Sequence, residues 1–141
     1  MIVNPTVAWS GSDWLMTWTD FRGLGLGSLS FDDIRFARLD GTEHWLEASS
    51  AGTLIGTIRN PGWVDFPTFT VSQVAWDGKS YAVLWGSNLS RISPTGHLLG
   101  GELVLQFQPN DFKSLGGGKV LLAYSAWSGQ TYEAIVRVLA E

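Results

Sequence analysis

The sequence contains no cysteine, which excludes disulfides, thiolate zinc sites and a cysteine nucleophile. Histidine is almost as scarce. His44 and His97 are the only two; each stands just after a turn and neither belongs to a Ser-His-Asp or His-x-x-x-His arrangement, so both read as surface residues. Charged residues make up only 16% of the chain and the formal net charge is −4. The nine Lys and Arg are scattered rather than striped, so the chain has no general pull on nucleic acid and no such partner is expected. No run approaches the ~18 apolar residues of a membrane-spanning helix, and no membrane partner is expected either. The opening MIVNPTVAWS has no basic stretch followed by an apolar one, so no signal peptide is expected. An intracellular protein fits, and so does a portion excised from a secreted or cell-surface one. No metal and no cofactor is expected.

What is present is glycine and tryptophan, 17 and 8 residues respectively, in a chain that is 45% hydrophobic. Its 141 residues suit one domain. Many glycines among aromatic and β-branched residues point to short strands joined by tight turns, an all-β fold. The pattern also repeats. Val7-Ala8-Trp9-Ser10-Gly11 returns as Val74-Ala75-Trp76-Asp77-Gly78, and Trp14-Leu15-Met16-Thr17-Trp18 returns as Tyr81-Ala82-Val83-Leu84-Trp85. A fainter copy reads Ser114-Leu115-Gly116-Gly117, then Val120-Leu121-Leu122-Ala123-Tyr124. The closing aromatic (Trp18, Trp85 or Tyr124) stands nine residues after Trp9, Trp76 or Leu115. Each copy continues into a short segment with an arginine: Arg38, Arg91 or Arg137. Turn signals and an outer apolar segment follow, HWLE or TLIGTI in the first unit and ELVLQF in the second.

Each unit thus reads strand, glycine turn, strand, loop, strand, turn, strand. Gly11, Gly78 and Gly117 fall where a hairpin needs positive φ. The second strand is apolar on both faces (Tyr81, Val83 and Trp85 on one, Ala82 and Leu84 on the other), which predicts a sheet packed on each side. Four-stranded antiparallel units with doubly buried middle strands describe β-propeller blades. The first unit also resembles the blades of a bacterial β-propeller repeat family, on Pro5, Val7, Ala8, Gly11, Trp18, Asp20, Arg22, Asp33, Ile34, Arg38 and Gly41. The resemblance implies about three blades, with units at roughly 5–70, 71–108 and 109–141.

Propellers have four to eight blades, so three leave two open apolar flanks, and the third unit ends before its outer strand. Two chains are expected to close one six-bladed ring as a homodimer, with residues 1–4 of one chain completing the last blade of the other by strand exchange.

Candidate sites are few. Asp20 and Arg22 in WTDFRG either bind a ligand at a blade edge or are structural, Asp20 capping a turn and Arg22 pairing with a carboxylate between blades. Asp32 and Asp33 lack calcium-loop spacing and read as a solvated turn. GLGLGS and LGGGKV open no helix, so they are not phosphate loops. The stretch TIRNPGWVDFPTF is the least repeat-like, and Arg59, Trp63 and Phe66 there line either a binding surface or a seam. No catalytic residue stands out. The function expected is a non-catalytic scaffold or binding module for a glycan or protein. The alternative is a carbohydrate-active enzyme, a glycosidase or lyase, which would need carboxylates such as Asp13, Asp20, Asp77 and Asp111 to converge.

Overall fold

The structure, a computed structural model, describes residues 2–22, 30–47, 51–60 and 71–140. The described residues form eleven strands and no helix. The first sheet contains β1 (Ile2–Trp9), β2 (Trp14–Arg22), β3 (Ser30–Leu39) and β4 (Thr53–Asn60). The second contains β5 (Ser72–Trp76), β6 (Tyr81–Trp85), β7 (Asn88–Ile92) and β8 (Leu98–Val104). The third contains β9 (Asp111–Gly116), β10 (Lys119–Trp127) and β11 (Tyr132–Ala140). Every sheet is an antiparallel meander in which each strand pairs with the next in the chain. Among the described residues no helix is long and apolar enough to cross a membrane.

Glycine-centred hairpins set this order. Gly11, Gly78 and Gly117 have φ of +106°, +93° and +60°, a region that costs other residues a steric clash. Each sits in the turn between the first two strands of its sheet. In the first unit the outer strand is TLIGTI. HWLE supplies only a single bridge, Trp45 opposite Leu39. In the second unit the outer strand begins earlier than ELVLQF, at Leu98, and ends at Val104.

The sheets stack face to face in chain order. Leu15, Ile34 and Phe36 of the first sheet pack against Tyr81, Val83, Trp85 and Ile92 of the second. The other face of the second sheet, with Ala82, Leu84 and Leu89, packs against Phe112, Val120 and Leu122 of the third. All five residues of β6 are therefore buried. This follows from alternation: odd and even residues of one strand face opposite ways, and here both ways meet another sheet. The contacts centre on the first strands, with β5 against β1 and β2 on one side and β9 on the other.

Two repeat positions depart from the expected equivalence. Leu115 falls at a register shift in which Val120 lies opposite Ser114, so it is not the counterpart of Trp9 or Trp76. Arg38 lies opposite Leu15 and Arg91 opposite Ala82, whereas Arg137 lies opposite Leu122 rather than Leu121. A shift of one residue reverses the face. Arg137 accordingly points back toward the second sheet, its guanidinium over Phe107 and Tyr124. Val138 holds the position that corresponds to Arg38 and Arg91. Ile2 and Val3, expected to leave for a partner, lie opposite Asp20 and Thr19 of their own sheet.

Candidate functional site

Among the described residues no sheet covers the outer face of either end sheet, and both faces are largely apolar. On the first sheet Trp9 lies opposite Trp14, Trp14 opposite Leu39, and Leu39 opposite Trp45. Residues directly opposite share a face. Three tryptophans, 40%, 37% and 45% exposed, therefore line up across the sheet, with Val7 and Leu54 exposed on the same side. The rings of Trp9 and Trp14 meet at 5.0 Å. On the third sheet Trp127, Tyr132, Val136 and Val138 share the outer face and are all more than half exposed. Trp127 and Tyr132 form a matching ring pair, also at 5.0 Å.

Asp20 and Arg35 organise the polar part of the first open face. Asp20 and Asp33 lie directly opposite each other, a repulsive placement that Arg35 offsets. Its guanidinium stands 3.2 Å from Asp33 and 3.8 Å from Asp20. Thr57 donates its hydroxyl to Asp33 at 2.7 Å. Arg35 also donates to the carbonyls of Ala51 and Gly52 at 3.4 Å. Asp32 and Asp33 are not a solvated turn: both are buried inside β3, Asp32 on the side of Ile34 and Asp33 on the side of Arg35. Arg35 was missed, yet its spacing of two from Asp33 in a strand is the signal that puts both on one face. Arg22 ends β2 and Arg59 lies near the end of β4. Trp63 and Phe66 lie outside the described residues.

The arginines of the first two sheets tie each sheet to the next. Arg38 binds Glu47 at 2.7 Å and donates to the carbonyl of Pro94 in the second sheet at 2.7 Å. Arg91 binds the buried Asp77 and donates to the carbonyl of Gly118 in the third sheet at 3.0 Å. Asp77 also accepts from the amides of Lys79 and Ser80 at 2.9 and 2.8 Å. Thr6, Thr17 and Ser72 add a hydroxyl chain between the first two sheets, with oxygen separations of 2.9 and 3.1 Å.

The four acids expected to converge in an enzyme divide between the two ends of the strands. Asp13 and Asp77 sit in the hairpin turns, Asp20 and Asp111 near the opposite ends. Six residues of strand, about 20 Å, separate these levels. Among the described residues no three His, Asp or Glu side chains gather as a metal site. His44 and His97 lie in exposed turns. Asp40 closes the first of these turns. It accepts from the amide of His44 and from the hydroxyl and amide of Thr42, and these bonds, that from His44 foremost and the Thr42 hydroxyl next, hold its carboxyl down at about 2.

No protein-family model matches the chain, and no curated protein does. One solved structure, of a protein of unknown function from Bacteroides caccae, is similar at a TM-score of 0.31 with 13% identity. The match covers 96% of this chain and 60% of that one.

Proposed function

We propose that the chain is a non-catalytic scaffold or binding module made of three propeller-like blades, and that two copies close into a six-bladed ring. The observation that carries this reading is the contrast between the sheets. The strand β6 of the middle one is buried on both faces, although its outer strand β8 is exposed throughout, whereas each end sheet keeps one largely apolar face open. Each sheet is an antiparallel meander starting at an inner strand, as propeller blades are. A face of three strands about 4.8 Å apart and six residues long covers roughly 14 by 20 Å. Closing two copies covers four such faces, roughly 1,100 Å² of flat area, close to the ~1,200 Å² at which stable interfaces begin.

Strand exchange through residues 1–4 would require Ile2 and Val3 to leave Asp20 and Thr19; the contact is therefore assigned to the faces. The separation of the four acids disfavours a glycosidase or lyase, whose two carboxyls must flank one bond. Aromatic pairs at the strand ends, such as Trp127 with Tyr132, present flat surfaces that suit a glycan ring or a protein side chain. The test is light scattering coupled to size exclusion. A mass of twice the 15.4 kDa chain is expected, and a monomer at micromolar concentration would sink the reading.

A further inference from the structure

The large aromatic that closes each hairpin motif is covered in one of two ways. Trp85, facing the first sheet, lies against Gly56 of β4, where a Cβ would overlap the indole. Tyr124, facing the second sheet, is stacked by Phe107, just after β8, with centroids 3.7 Å apart. Both covers come from the outer part of the preceding sheet. Among the described residues no sheet packs on the outer side of Trp18, yet it is only 2% exposed. Its indole lies against Gly52, where a Cβ would overlap it, and Arg35 binds the carbonyls of residues 51 and 52. Residues 51–52, just before β4, therefore occupy the place that a preceding sheet's fourth strand takes elsewhere in the stack.

This restricts what can dock on the open face of the first sheet. A four-stranded sheet would bring its outer strand onto residues 51–52. A sheet without a fourth strand would not, and among the described residues the third sheet, β11-β10-β9, has three strands. The first sheet is excluded as its own partner because it carries β4. We infer that the open face of the first sheet receives the outer face of the third sheet of a second copy, head to tail, with residues 51–52 standing in for the strand the third sheet lacks. Two such contacts, related by a two-fold axis, leave no face open. The inference rests on the ring reading above and specifies which faces meet.

The hairpin turns show how to test it. Within the chain the turns of neighbouring sheets touch. Tyr81 donates to the carbonyl of Asp13 at 2.7 Å, and the amide of Gly118 donates to the carbonyl of Asp77 at 3.0 Å. Head-to-tail docking continues this row by setting the Gly117 turn beside the Gly11 turn of the other copy. Because the chain has no cysteine, introduced thiols are the only ones. Ser12→Cys, Lys119→Cys and the double variant are treated with a short bis-maleimide and resolved by denaturing electrophoresis. Both positions are exposed. The expected result is a covalent dimer from the double variant and from a mixture of the two single variants, with neither single variant cross-linking alone. A single variant that cross-links by itself overturns the arrangement in favour of like-with-like contact. A double variant that scatters light as a dimer but does not cross-link also overturns it while leaving the dimer standing. A monomeric mass instead refutes the ring reading beneath it. As a second measurement, Val138→Glu on the outer face of β11 is expected to weaken the dimer by about tenfold or more; unchanged dissociation, with the β-sheet circular dichroism intact, counts against the assigned face.

Discussion

Replacing Asp77 by alanine removes the acceptor at the centre of the second hairpin turn. The carboxylate is fully buried and receives the Lys79 and Ser80 amides, the Ser80 hydroxyl at 3.2 Å and the Arg91 guanidinium. Breaking a buried ion pair by removing one partner costs about 3–5 kcal/mol, because the remaining charge is left uncompensated. Two factors place Asp77→Ala toward the lower end. Arg91 keeps the Gly118 carbonyl, and 14% of its side chain already reaches water. Two turn amides lose their acceptor, and each unsatisfied buried donor costs about 1–3 kcal/mol where water cannot replace it. A loss of about 3 kcal/mol is therefore expected. With a urea m-value of about 2 kcal/mol per molar, the midpoint falls by about 1.5 M. The measurement is urea unfolding followed by tryptophan fluorescence at one fixed protein concentration, since self-association adds to apparent stability. Arg38→Ala is the comparison. Its partner Glu47 is 20% exposed, and solvent screening limits that loss to about 1 kcal/mol. An Asp77→Ala loss below that of Arg38→Ala, at an unchanged m-value, would refute the reasoning that burial sets the weight of these ties.

Gly56→Ala places a methyl group on the buried Trp85 indole, which is tied to the Ser90 hydroxyl at 3.0 Å, so a loss of about 1–3 kcal/mol is expected by thermal unfolding; an unchanged midpoint would mean that the two sheets separate without strain. Burial holds the Tyr81 phenol protonated above its usual 10.0. The unfolded chain therefore ionises first: this stabilisation is complete below about pH 10 and is lost as pH rises toward the folded-state value. Urea midpoints from pH 9 to 11 should fall more steeply for the native chain than for Tyr81→Phe, and parallel slopes would argue that the phenol is not held by its surroundings.

Much of the architecture was legible because it rests on short-range patterns. A glycine between two apolar runs marks a hairpin whatever the rest of the chain does, and Gly11, Gly78 and Gly117 each mark one. The apolar run Tyr81 to Trp85 requires burial on both faces, and β6 has it. Register was not legible. The tie made by Arg38 and Arg91 does not recur at Arg137, because β11 pairs one residue out of step and alternation turns the side chain around. Asp32 and Asp33 resemble a turn in isolation, since adjacent acids beside glycine and serine are common in loops. Only pairing with Phe21, Asp20, Ile58 and Thr57 reveals a strand there. The candidate site was partly legible. Asp20 was visible as a motif residue, but its partner Arg35, and Thr57 which binds Asp33, come from two other strands.

The sequence by itself determined the all-β class, the hairpin repeat and the surplus of apolar surface, because local turn chemistry and the two-residue period of a strand are written in consecutive residues. Only the tertiary structure decided which tryptophans are core and which are surface. Trp18 and Trp85 are buried while Trp9 and Trp14 remain open, although all four belong to the same repeated motif. The reason is that burial depends on what lies across the gap, and the neighbour across a sheet face stands tens of residues away in the chain.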